Sequence, residues 1–301
     1  MKRKGGPACP CNKTSAITSA MTSDLLALAA ILLWSTLATL GVELAHVPPF
    51  LLTGSGLLVG SLIALPLSGF RWQAWRVPAP TLALGVYGLF GFHFLLFIAL
   101  RNAPAVEANL INYLWPLGMV VLAPVVLPGL TLRWSHIGAA CLGFAGAAVA
   151  ILGRNGISDA TTPTFHWGYL FALGSAFIWA SYSLGTRRVP HFQTAAVGSF
   201  AAISGVLAWV CHLVLEPSVQ LGTSDLLKIA LLGLGPLGGA FFLWDAAIKT
   251  GDPRRIGLFA FLTPLLSTAL LVASTGQALR PSIVVAAVMV IAAAAWGRRA
   301  T

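Results

Sequence analysis

From Leu25 onward the chain alternates apolar runs with short polar breaks, and each run has about the length that a lipid bilayer demands. The runs are Leu25–Val42, Pro49–Leu67, Pro78–Ala99, Ala105–Val126, Trp134–Leu152, Trp167–Gly185, Thr194–Leu215, Leu226–Ile248, Pro253–Thr275 and Pro281–Gly297. A hydrocarbon core of about 30 Å takes roughly 17–25 helical residues to cross, whereas a spanning strand needs only about 9–11. Lipid offers no partner to an exposed backbone N–H or C=O, so runs of this length that enter it must be helices. The expected fold is an all-α membrane protein with ten transmembrane helices. Composition agrees: 9% of residues are charged and mean hydropathy is +0.86, where a soluble domain carries about 25% charged residues.

The breaks are too short to hold an inserted domain. Residues 1–22 are polar, basic and interrupted by glycine and proline; with no apolar core and no small-residue cleavage site they do not form a signal peptide, and a disordered cytoplasmic tail is expected. The net charge is +10, yet the basic residues neither cluster on one face nor interleave with aromatics, as a nucleic-acid surface would require. They sit in the breaks. With the N-terminus in the cytoplasm, fourteen of the 18 Lys and Arg fall on that side, and only Arg101, Arg154, Lys228 and Arg280 fall outside. The bias of Lys and Arg toward the cytoplasm then places both termini there. The four cysteines are too scattered for a disulfide framework, and Cys9-Pro10-Cys11 has neither redox spacing nor a nearby histidine to complete a metal set. No metal or cofactor is expected.

One run departs from plain lipophilicity. Ile111-Asn112-Tyr113-Leu114-Trp115-Pro116 places an amide, a phenol, an indole and a proline inside the fourth run. Proline removes a backbone donor and frees the carbonyl four residues earlier, here that of Asn112. The element recurs 148 residues later, where Ala247-Ile248-Lys249 through Thr263-Pro264 aligns with Ala99-Leu100-Arg101 through Trp115-Pro116. Leu32-Leu33-Trp34-Ser35-Thr36 is similarly echoed by Phe177-Ile178-Trp179-Ala180-Ser181. The chain thus divides into halves, 24–152 and 166–297, of five runs each. An odd number of spans gives the halves opposite polarity, so they form two inverted five-helix repeats around a central cavity, and proline-interrupted helices at matching positions mark its substrate site.

These features resemble the drug/metabolite transporter superfamily, EamA type, over residues 24–297, and the motifs at 32–36, 111–116 and 174–182 resemble its bacterial aromatic amino acid exporters. The resemblance implies a bacterial inner-membrane exporter whose cavity is ringed by the first, third, fourth, sixth, eighth and ninth helices, with the fifth and tenth as scaffold. The small residues Ala139, Gly143 and Ala147, and Ala286, Ala287 and Ala292 to Ala295, suit close scaffold packing.

Six residues are candidates for binding substrate: Trp34, His93, Asn112, Tyr113, Trp115 and Trp179. Trp34 and Trp179 lie mid-span, away from the interfacial belts where tryptophan usually sits. His93 is an ionisable side chain mid-membrane, a costly placement that usually faces an interior. On a continuous helix Asn112 and Trp115 share a face, whereas Tyr113 and Trp115 diverge, so one of the latter pair is expected at the cavity's side. The resemblance favours both as lining. Phe261, the repeat counterpart of Tyr113, is expected to pack in the core, and His212 to be peripheral. Asp245 and Lys249 have the spacing of a structural ion pair, and Glu107 is expected to pair with Arg101. The first run has no carboxylate between Leu25 and Val42, which argues against cation efflux by a carboxylate proton cycle. An intramembrane enzyme is the alternative from another class, but no G-x-S-x-G, H-E-x-x-H or paired aspartates support one. The expected substrate is an amino acid with a large apolar side chain, a broader metabolite or drug exporter being the other transporter reading, and a monomer in the bilayer suffices for either.

Overall fold

The computed structural model describes residues 11–155, 165–275 and 281–300, and among them there are helices and no strands. In chain order the first half forms α1 (Cys11–Ser35), α2 (Leu37–Glu43), α3 (Pro49–Ser61), α4 (Ala64–Leu67), α5 (Ala79–Val86), α6 (Phe92–Asn102), α7 (Ala105–Asn112), α8 (Trp115–Val126) and α9 (Trp134–Asn155). The second half forms α10 (Gly168–Gly185), α11 (Val197–Leu215), α12 (Thr223–Leu234), α13 (Ala240–Thr250), α14 (Pro253–Ala260), α15 (Leu262–Thr275) and α16 (Pro281–Ala300). Eight helical stretches among the described residues are long and apolar enough to cross a membrane. The sixth apolar run is α10 and the tenth lies in α16, a shorter apolar helix over Pro281–Gly297. Residues 1–10 of the expected tail lie outside the described residues. Its residues 11–22 belong to α1, because the glycines and prolines that interrupt the tail all precede residue 11.

Several spans are interrupted, in two cases at pairs of positions 148 residues apart. A five-residue π segment, Tyr87–Gly91, joins α5 to α6, and another, Gly235–Gly239, joins α12 to α13 at the same 148-residue offset. The fourth and ninth runs break at matching positions, between Asn112 and Trp115 and between Ala260 and Leu262. Pro116 and Pro264 follow these breaks and cannot donate to the carbonyls of Asn112 and Ala260. The first run also breaks, after Ser35. Ser35 Oγ donates to Ile31 O at 2.7 Å and Thr36 Oγ1 to Leu33 O at 2.7 Å, back-bonding of the kind that bends helices. Its counterpart α10 runs through unbroken.

Small residues set the closest helix contacts, as they must where lipid is as apolar as leucine. α3 lies against α11 so tightly that a Cβ on Gly54 would stand 3.0 Å from Gly205 O, and one on Gly205 would stand 3.0 Å from Gly54 O. α9 and α16 pack along each other, joining Ala139, Ala140 and Ala147 to Val290 in one buried cluster with Phe261. That is the packing role expected of Phe261.

Charged groups gather at the two ends of the bundle. At the end carrying residues 249–255, Lys249 Nζ meets Asp245 Oδ2 at 2.6 Å, the expected pair, and Arg255 bonds Asp24. Arg254 N donates to Asp252 Oδ1 at 2.8 Å, so Asp252 caps α14. Burial pushes the Asp252 carboxyl up, but the hydrogen bonds and charge of Arg254 outweigh it and hold the group below the ordinary carboxylate range. At the opposite end, Lys228 Nζ reaches Glu43 Oε2 at 2.7 Å and His46 Nε2 lies 3.3 Å from Asp225 Oδ2.

Candidate functional site

A cavity of about 610 Å³ lies within the helices, and Trp34, His93, Asn112, Tyr113, Trp115 and Trp179 all line it. Each is placed by a local feature of its run. Trp34 is in the last turn of α1 before the hydroxyl-bonded break, and His93 is in the first turn of α6, directly after the π segment. Asn112 ends α7 and Trp115 begins α8. Tyr113 lies in the break between them and lines the cavity, as does Trp115.

Three tryptophans from three spans form one wall. Ring centroids are 5.8 Å apart for Trp34–Trp179, 6.3 Å for Trp34–Trp115 and 6.3 Å for Trp115–Trp179, all edge to face. Phe241 closes on Trp179 at 5.5 Å and on Trp34 at 6.1 Å. Behind this wall Trp244, 2% exposed, touches Trp34 at 5.1 Å and Trp115 at 5.5 Å, and its Nε1–H donates to Ser183 Oγ at 3.1 Å. From the ring wall the lining runs toward the 44–48 turn, through Gly41, Leu44, Val47 and Pro49, and along α6 as far as Leu100. The lining thus extends from the ring wall toward the end opposite residues 249–255.

The polar lining is neutral. It consists of Thr53, Asn109, Thr263, Ser267 and Thr268 with His93, Asn112 and Tyr113, and no Asp, Glu, Lys or Arg of the described residues takes part. His93 Nδ1 lies 2.6 Å from Leu89 O. Ser175 Oγ, fully buried in α10, lies 2.7 Å from Asn112 Oδ1 and so fixes the amide from behind.

Phe241, Thr263, Trp244 and Ser175 were not singled out in the sequence. Two carried a usable signal: Phe241 stands 148 residues after His93 and Thr263 the same distance after Trp115, so the repeat offset projects a cavity position in one half onto the other. Ser175 and Trp244 carried none, since their roles depend on which neighbouring helix they meet.

The expected pair of Glu107 with Arg101 does not form. Arg101 Nη2 donates to Glu216 Oε1 at 2.8 Å, and the Tyr169 hydroxyl donates to Glu107. Glu216, its carboxylate fully buried, accepts from Phe50 N at 3.0 Å and Leu51 N at 3.2 Å at the start of α3, and meets His212 Nδ1 at 3.0 Å. A buried anion needs such partners, and Arg101 completes the set. His212 thus lies outside the cavity but inside this node.

Apolar membrane-length helices around a neutral, ring-lined chamber of small-molecule size define a multi-pass membrane protein of the transporter class. The chain belongs to the EamA-like transporter family, whose model matches it twice, over residues 21–152 and 166–296. It is 38% identical over 280 residues to the aromatic amino acid exporter YddG of Ancylobacter novellus, covering 92% of this chain and 97% of that one. Its identity to the aromatic amino acid exporter YddG of Escherichia coli K12 is 28% over 265 residues, 82% of this chain and 87% of the relative. A solved crystal structure at 37% identity superposes with a TM-score of 0.83, covering 91% of this chain and 96% of the other.

Proposed function

We propose that this protein exports aromatic and other large apolar amino acids from the cytoplasm by alternating access through the ring-lined chamber. The observation that carries the reading is the convergence of Trp34, Trp115 and Trp179 with His93, Asn112 and Tyr113 on one uncharged cavity. Rings offer an aromatic side chain edge and face contacts, and the neutral polar groups can meet its ammonium and carboxylate without a fixed counter-charge. Relatives named as aromatic amino acid exporters support the substrate class. The two halves are inverted repeats, both termini are cytoplasmic, and the monomer is the working unit in the inner membrane. With that orientation the chamber opens to the outside, and the tryptophan wall with the Arg255–Asp24 bond between α14 and α1 shuts the cytoplasmic end. Export requires a second arrangement in which those contacts part and the 44–48 end closes. Reconstitution in liposomes, with efflux of tryptophan, threonine and a quaternary ammonium compared, tests the reading. Tryptophan is expected to leave fastest. Preference for the quaternary ammonium would replace amino acid export with drug export, and transport of none of them would remove the proposal.

A further inference from the structure

We propose that the chamber selects the ammonium pole of its substrate rather than the carboxylate, with His93 as the hydrogen-bond acceptor, and that it therefore also takes aromatic primary amines that have no carboxylate. The inference rests on the chamber being the substrate site. It starts from one hydrogen bond. The His93 ring turns Nδ1 back onto its own helix, 2.6 Å from Leu89 O. A carbonyl oxygen only accepts, so Nδ1 must carry the proton, and the other nitrogen of a neutral imidazole then presents a lone pair. The position that faces away from the Leu89 carbonyl is thus an acceptor.

The surroundings of that acceptor favour a cation. The imidazole lies among Phe92 at 5.0 Å, Phe97 at 6.0 Å and Phe241 at 6.2 Å between ring centroids. Ring faces are electrostatically negative and attract an ammonium, as does a nitrogen lone pair. A carboxylate in the same place would meet the lone pair with the wrong sign. The carboxylate also lacks the partner it usually finds, since no Lys or Arg of the described residues lines the chamber. The basic side chains near its two ends are engaged elsewhere, Arg101 with Glu216 and Lys249 with Asp245. Only neutral donors remain for it, such as the Asn112 amide and the hydroxyls, and of these the Thr268 hydroxyl is already turned onto Pro264 O at 2.8 Å. The better-served pole is the ammonium, and an aromatic amine keeps both features that the chamber reads, the ring and the NH₃⁺.

The test uses three ligands that differ only at the polar end, phenylalanine, phenethylamine and 3-phenylpropanoate, titrated calorimetrically into the full-length purified protein at neutral pH. Phenethylamine is expected to bind within about tenfold of phenylalanine, and 3-phenylpropanoate more than about tenfold more weakly than either. His93→Leu should weaken phenylalanine and phenethylamine together, while His93→Gln, whose amide oxygen can accept, should recover most of the loss. Equal binding of the amine and the propanoate overturns the inference, as does a His93→Leu variant that loses the propanoate and keeps the amine. If His93→Leu does not fold, the ligand series on the unaltered protein and the His93→Gln variant still decide. Binding of phenylalanine without phenethylamine ends the inference and leaves amino acid export standing. Binding of phenethylamine without phenylalanine does the reverse.

Discussion

Truncating Trp115 to alanine should lower the ratio of tryptophan export to threonine export while leaving threonine export nearly unchanged. Trp115 has three indole neighbours, at 6.3, 6.3 and 5.5 Å between centroids, and it is 6% exposed. Its remaining edge faces the chamber, so one ring contact with an aromatic substrate is at stake. Such a contact is worth about 0.5–1.5 kcal/mol beyond area burial, and about 1.4 kcal/mol is tenfold in affinity. The ratio should therefore fall by roughly two- to tenfold. Threonine, with no ring, loses none of this. The same substitution in Trp34, which touches Trp115, Trp179, Phe241 and Trp244, should move the ratio the same way, and either variant should also lower the yield of folded protein, since emptying a buried ring site costs about 3–5 kcal/mol. The assay is efflux from liposomes at matched amounts of folded protein. Trp244→Ala is the control: this ring lies behind the wall, and its loss should depress both substrates equally. An unchanged ratio in both Trp34→Ala and Trp115→Ala would refute the reasoning and leave the tryptophans as packing alone.

Three further outcomes follow from the same account. Cysteines replacing Arg188 and Gln220, both exposed and separated only by the α11 span, should be labelled from opposite sides of the membrane, Arg188→Cys from the cytoplasm; labelling from one side would overturn the assigned topology. Efflux should continue when the pH gradient is collapsed at constant voltage, because the lining has no carboxylate to carry a proton; arrest of efflux would make His93 the proton carrier. Asp252 is held below the usual carboxylate range in the folded protein, so its contribution is complete above an unfolded value of about 3.9 and fades as pH falls through the lower, folded one. Thermal stability followed downward from neutrality should therefore show an acid loss below about pH 4 that is smaller in Asp252→Asn, while Asp252→Ala should cost about 1 kcal/mol at neutral pH through the lost cap of α14.

Much of this molecule is written locally in the chain. Run length and hydropathy imply the helices, and Pro116 and Pro264 mark two of the breaks, because proline acts on its own backbone whatever surrounds it. The six site residues stood out for the same reason: each is a polar or aromatic group with no business in lipid, and burial inside the bundle is the remedy. What escaped the sequence depends on pairing between helices. Arg101 finds Glu216 rather than Glu107 because α3, α6 and α11 meet at one point, and nothing in residues 101–107 says so. Ser175 matters only because α10 carries it against Asn112, and Trp244 only because α13 carries it behind the other rings.

The central claim, that the chamber is where substrate binds, is tested most directly by protection of a cysteine inside it. Ser267, a half-buried lining residue, differs from cysteine by one atom, and the four native cysteines can be replaced to leave Ser267→Cys as the single thiol. A membrane-impermeant maleimide added from outside should label it. Tryptophan should slow that labelling in a saturable way and threonine should do so far more weakly. Labelling at the same rate with and without saturating tryptophan would contradict the account and place the substrate elsewhere.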